Sequence, residues 1–195
     1  MKTENSILMS DAKASLSGKW GLAIGVSLLY ALMCGGLQSI RGIGAIVGLF
    51  ITGHLMYGFQ LFALTLSRNE EAHLAQLFEG FNLYGKILKL YIWMVVRVLL
   101  WMLLLIVPGI IKAIAYSQAF YLFIEDNSLD AKEALQKSEQ MMEGYKMKYF
   151  LLGLRFFLLA LLCILTLGIG FLWLIPYAQV TLAKFYDDVK ANSVE

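Results

Sequence analysis

The sequence predicts an all-α protein: a polytopic membrane bundle of six transmembrane helices in three hairpins, with short amphipathic cytoplasmic helices. Three observations predict it. All 14 carboxylates of the 195-residue chain fall in the two terminal tails or in two internal polar stretches. The segments between them are long and apolar: positions 95–111 are interrupted only by Arg97 and Pro108, and positions 156–175 carry no charge. About 20 apolar residues in a helix cross the roughly 30 Å hydrocarbon layer of a bilayer. The connections between apolar segments also alternate between tight and long, as helical hairpins require. Composition agrees, with 59% hydrophobic and 15% charged residues, against about 25% charged in soluble domains.

The expected spans are 20–39, 43–66, 87–107, 109–124, 149–167 and 168–186, within a single integral membrane domain covering 1–195. No Pro/Ser-rich linker divides the chain, and its polar start does not read as a cleavable signal peptide. Tight outer turns are expected at Ile40-Arg41-Gly42, Pro108-Gly109 and Thr166-Leu167-Gly168. Twelve basic residues fall in the tails and long connections, from Lys2, Lys13 and Lys19 to Lys184 and Lys190. Only Arg41, with Lys112 near it, falls on the other side, and Lys112 reads as a snorkelling anchor. Basic loops stay cytoplasmic, so both termini are expected there.

A lead-in segment precedes each hairpin: 12–20, 72–86 and 131–148. Leu74, Leu77, Phe78 and Phe81 follow helical spacing in the second. In the third, Asn127 or Ser128 suits an N-cap. Ala131, Ala134, Leu135, Ser138 and Met142 fall on one helical face. Such helices either float in the headgroup layer or form a collar under the bundle. The third, with small residues and nearly balanced charge, is expected to pack on the ends of the spans.

Candidate sites are few. Arg97 and Arg155 lie well inside spans, where a charge costs about 2.5–3.5 kcal/mol. No span carries a carboxylate to neutralise them, so they are candidate contacts for an anion or lipid; the alternative is snorkelling to water. Pro108 and Pro176 are expected helix breaks. Gly21-x-x-x-Gly25 and Gly44-x-x-x-Gly48 allow close helix packing, within the chain or in a homo-oligomer. Glu125-Asp126 and Asp187-Asp188 read as a helix start and a solvated end rather than a cation site. His54 and His73 lack metal-ligand spacing. Cys34 and Cys163 read as small apolar side chains. No catalytic residue, cofactor site or metal site is expected, and no basic tract supports nucleic-acid binding.

An ordered series of motifs carries a family resemblance. It runs from Leu77-Phe78-Glu79-Gly80-Phe81 through Leu100-Trp101, Val107-Pro108-Gly109-Ile110-Ile111 and Ala115-Tyr116-Ser117. It continues through Glu125-Asp126-Asn127, Glu133-Ala134, Ser138, Met142-Glu143-Gly144-Tyr145-Lys146 and Thr166-Leu167-Gly168-Ile169-Gly170 to Leu172-Trp173-Leu174-Ile175-Pro176-Tyr177 and Phe185-Tyr186. The series resembles a family of bacterial integral membrane proteins known as domain of unknown function 975. The resemblance implies a multi-pass protein of the bacterial inner membrane and brings no activity, ligand or catalytic residue. The expected function is a non-enzymatic membrane scaffold or regulatory partner, in contact with membrane lipids and with a membrane-protein partner or its own copies. The alternative is a carrier or binder of a small anion or lipid using the intramembrane arginines.

Overall fold

The computed structural model describes residues 3–38 and 44–193, and all regular structure in them is helical. The elements are α1 (Asn5–Ser15), α2 (Trp20–Gln38), α3 (Gly44–Ser67), a 3₁₀ segment (Leu74–Leu83), α4 (Tyr84–Leu104) and α5 (Ile106–Ala115). They continue with α6 (Ala119–Glu125), α7 (Ala131–Met141), α8 (Lys146–Leu165) and α9 (Phe171–Ser193). The expected turn at Ile40-Arg41-Gly42 lies outside the described residues. Three stretches are long and apolar enough to cross a membrane: Leu74–Leu104, Ile106–Glu125 and Lys146–Leu165. The pair Asn5–Ser15 and Trp20–Gly36, bent by 102°, makes a fourth only if it counts as one span. The six-span arrangement is therefore not established by helix length and hydropathy.

The first lead-in is corrected: its helix is α1, earlier than 12–20, and Gly18 turns the chain into α2 with φ of 77°. The second is a 3₁₀ segment, and of its apolar positions only Leu77 is buried. It lies against α3, where two glycines make room. A Cβ on Gly58 would overlap the Leu77 carbonyl, and one on Gly80 would sit 3.0 Å from the His54 carbonyl carbon.

The second hairpin turns earlier than expected. Leu105 is extended, with φ of −158° and ψ of 137°, and caps α5. Pro108 then occupies the first turn of α5, where no intrahelical N–H is needed. Gly109 follows inside the helix and lets it close on α4, since a Cβ there would lie 2.8 Å from the Met102 Cα. The expected single span 109–124 is two helices, α5 and α6, separated by Tyr116–Gln118. Pro176 does not break α9, which runs continuously past the expected end at 186.

Two cores result. One joins α1, α2, α3 and α9 through Leu8, Leu16, Val26, Phe62, Phe185 and Tyr186. The other joins α3, α4, α6 and α7 through Tyr57, Ile87, Leu90, Phe120, Phe123 and Leu135. All five face positions predicted for the third lead-in are buried. Its helix begins later, capped by Asp130 rather than Asn127 or Ser128, and the Asp130 N–H donates to Glu133 at 3.2 Å. The tips of hairpins α4–α5 and α8–α9 stay uncovered: Leu103 is 86% exposed, and Leu167, in a left-handed turn with φ of 53°, is 94% exposed.

Candidate functional site

Charged residues near the ends of α3, α6 and α9 gather into one network. Arg68, just past α3, donates from Nη2 to Glu125 at 2.6 Å and to Asp187 at 2.7 Å. The other Glu125 oxygen accepts from Lys190 at 2.5 Å and from the Tyr186 hydroxyl. Lys148 pairs with Asp188 at 2.5 Å, and the Thr3 backbone N–H donates to Asp188 at 3.3 Å. Asp187-Asp188 is thus not a solvated helix end. Two positions invisible to each other in sequence, Arg68 and Lys148, claim both acids. The arrangement ties the N-terminus, α3, α6, α8 and α9 together, with each of these acids neutralised.

Burial alone would raise the Asp188 carboxyl; hydrogen bonds from Lys148 and Thr3 outweigh it and hold the group below its ordinary value. A depressed folded value means that its stabilisation is present above the unfolded value of about 3.9 and is lost as pH falls through the folded one. Asp188→Asn is expected to cost about 1–2 kcal/mol at pH 7. It should also flatten the loss of melting temperature below about pH 4 that the parent is expected to show as this group protonates. Melting curves in mild detergent across pH 3–7 check both.

The second feature is a cavity of about 400 Å³ between α3, α4, the α5–α6 break, α8 and α9. Its polar lining comprises Gln60, Ser117, Gln118, Tyr121, Tyr149 and Gln179, with no charged residue among the described ones. Gln60 is 6% exposed, Gln118 1% and Tyr121 2%. Gln60 Oε1, Gln118 Oε1 and the Tyr121 hydroxyl have no hydrogen-bond partner among the described residues. Buried polar atoms are nearly always paired, so three at one cavity are a notable cluster.

The break that brings Gln118 here is set by α7. The Ser138 hydroxyl donates to the Ala115 carbonyl at 2.7 Å and accepts from the Gln118 N–H at 3.2 Å. These bonds satisfy backbone groups that a helix interruption would leave unpaired. The cavity was missed in sequence, although Gln60, Gln118 and Gln179 are uncharged polar residues within apolar segments. That is the signal that could have found them.

The residues singled out in sequence do not converge on this cavity. Arg97 is partly exposed, 5.6 Å from the centre of the Trp93 ring, and Lys132 of α7 lies 4.8 Å from the same ring. Arg155 is exposed at the middle of α8. Lys112 is not a free anchor: it pairs with Glu139 of α7 at 2.5 Å. A Cβ on Gly21, Gly25 or Gly48 would meet nothing within 4 Å among the described residues, and the surroundings of Gly44 lie outside them. The close approaches are made instead at Gly58, Gly80 and Gly109. His54 is buried, its Nδ1 2.7 Å from the Phe50 carbonyl and its Nε2 3.0 Å from that of Tyr84. Both cysteines are free thiols.

The family described as "Protein of unknown function (DUF975)" matches residues 89–193, more than half of the chain. The chain belongs to this family. The match begins in α4 and includes the α5–α6 break, α7 and α9, and so most of the DUF975 cavity wall. No curated protein and no solved structure matches the chain.

Proposed function

We propose that this DUF975 protein is a non-enzymatic, multi-pass scaffold or regulatory partner in the bacterial inner membrane, with both termini cytoplasmic. The bias of basic residues supports the orientation, and the apolar stretches support the membrane setting. The proposed layout is six spans, with the α5–α6 pair as a broken one.

One observation carries the reading. Arg155 is exposed at the middle of α8, beside Leu151, Leu154 and Leu158, which are 47%, 44% and 55% exposed. A cation on an otherwise apolar wall at that depth is costly unless an acid or a hydrated path meets it. An acid on a partner's helix meets the charge, while the leucines supply the packing surface. Arg97, by contrast, already rests on Trp93.

The alternative, binding of a small anion or lipid by Arg97 and Arg155, draws on the same exposed guanidinium. Photocrosslinkers at Leu154 and Leu158, activated in intact membranes, separate the two. The expected result is one protein adduct of fixed mass at both positions, at least several-fold weaker in Arg155→Leu. Lipid adducts alone, together with loss of co-purifying anionic lipid in Arg155→Leu, would replace the scaffold reading with the alternative.

A further inference from the structure

We infer that the cavity at Gln60, Gln118 and Tyr121 is a binding site for an uncharged glycerolipid carrying free hydroxyl groups, of the monoacylglycerol kind.

The orientation of Gln118 is fixed by its neighbours. The Ser117 hydroxyl donates its single hydrogen to the Ile114 carbonyl at 2.8 Å, so toward Gln118 it can only accept. Its partner at 2.7 Å is therefore the amide nitrogen of Gln118. The amide oxygen is left as the free acceptor. Gln60 Oε1 is a second acceptor, and the Tyr121 hydroxyl both donates and accepts. Two unmatched acceptors beside one hydroxyl call for a ligand with at least two hydrogen-bond donors.

Charge is excluded by the same walls. None of the lining residues among those described is ionisable as a cation or a carboxylate, so a phosphate would be buried without compensation. The remaining surface is apolar, including Met56, Met94, Val98 and Leu182. Leu99 lines the cavity and is also 59% exposed, beside Val96 and Leu100 on the apolar wall of α4. An acyl chain can therefore leave past Leu99 while its polar head stays inside. At about 30 Å³ per water, the space equals that of about a dozen waters. That accommodates a glycerol ester and its first methylenes, and small-molecule sites begin near this size.

The proposal rests on the membrane reading for its route of entry, but not on the scaffold reading or on Arg155. Its test is accordingly made on purified full-length protein in lauryldimethylamine oxide, a detergent with no hydroxyl or amide hydrogen to compete. The probes are monoolein and, as the charged control, oleoyl lysophosphatidylglycerol. The parent is expected to retain one monoolein by native mass spectrometry and to melt higher as monoolein is added. The double variant Gln60→Met, Gln118→Met keeps the side-chain volume and removes both acceptors. It is expected to bind monoolein at least tenfold more weakly, yet without probe to melt close to the parent, because both deleted amide oxygens are unpartnered and only the Gln118 bond to the Ser117 hydroxyl is lost. Tyr121→Phe, which deletes one hydroxyl, should give an intermediate loss. Absence of monoolein uptake by the parent, equal uptake by parent and double variant, or equal or tighter binding of the charged control would each overturn the proposal. The crosslinking outcome at α8 would be unaffected by any of them.

Discussion

Leu135→Asp is expected to unfold the bundle rather than detach one helix. Leu135 is fully buried in the core that joins α3, α4, α6 and α7. The substitution removes a leucine worth about 1.5–3 kcal/mol of burial. It also places a carboxylate inside a cluster of buried apolar side chains, bringing the expected cost to at least about 4 kcal/mol. Because Ser138, one turn on, holds the α5–α6 break, displacement of α7 also frees backbone groups at Ala115 and Gln118. A loss of extractable, monodisperse protein is the expected readout. A variant that extracts and melts like the parent would show that α7 is a peripheral float.

Gly58→Ala is the second large effect. The methyl group would overlap the Leu77 carbonyl, which belongs to backbone and cannot rotate aside. The 3₁₀ segment must then lift from α3, opening the paired approach at Gly80 and the stacking of His54 on Phe81 and Tyr84. Overpacking of this kind costs about 3 kcal/mol. Gly21→Ala, whose Cβ meets nothing within 4 Å among the described residues, is the matched control and should leave the melting temperature unchanged. If both variants melt alike, the close approach at Gly58 is not a packing contact.

Features governed by local apolar patterning were legible in the sequence. Helices α2 and α3 fall within about a residue of the expected spans. The buried face of α7 is the one that helical spacing assigns. Features decided by a distant partner were not legible. Tyr116-Ser117-Gln118 contains no glycine or proline, and two of the bonds that hold a break there come from Ser138, brought alongside by α7. Lys112 looked like a lone anchor because Glu139 lies 27 residues away in sequence. The acids at Asp187 and Asp188 looked solvated for the same reason. The candidate cavity was the least legible. Its polar side chains come from four helices and a break, and no single segment announces it.

The sharing of one core by α1 and α9 has a consequence for biogenesis. Leu8 and Ala12 pack in the same cluster as Phe185, Tyr186 and Val189, and Thr3 meets Asp188 across 185 positions of sequence. At about 5–20 residues per second of synthesis, the first helix made waits roughly 10–40 s for the last. Until α9 leaves the ribosome, the apolar side of α1 and the Arg68 guanidinium have no native partner from that helix. The leading half therefore spends that interval without its native packing against α9. The segment 89–193 that matches the family model carries α9 and, with Tyr121, Met142 and Leu152, part of the rest of this core, but none of what α1, α2 and α3 supply to it. Expressed alone it would emerge with a seam facing nothing, so any excision of that segment should carry the helices upstream of residue 89 with it.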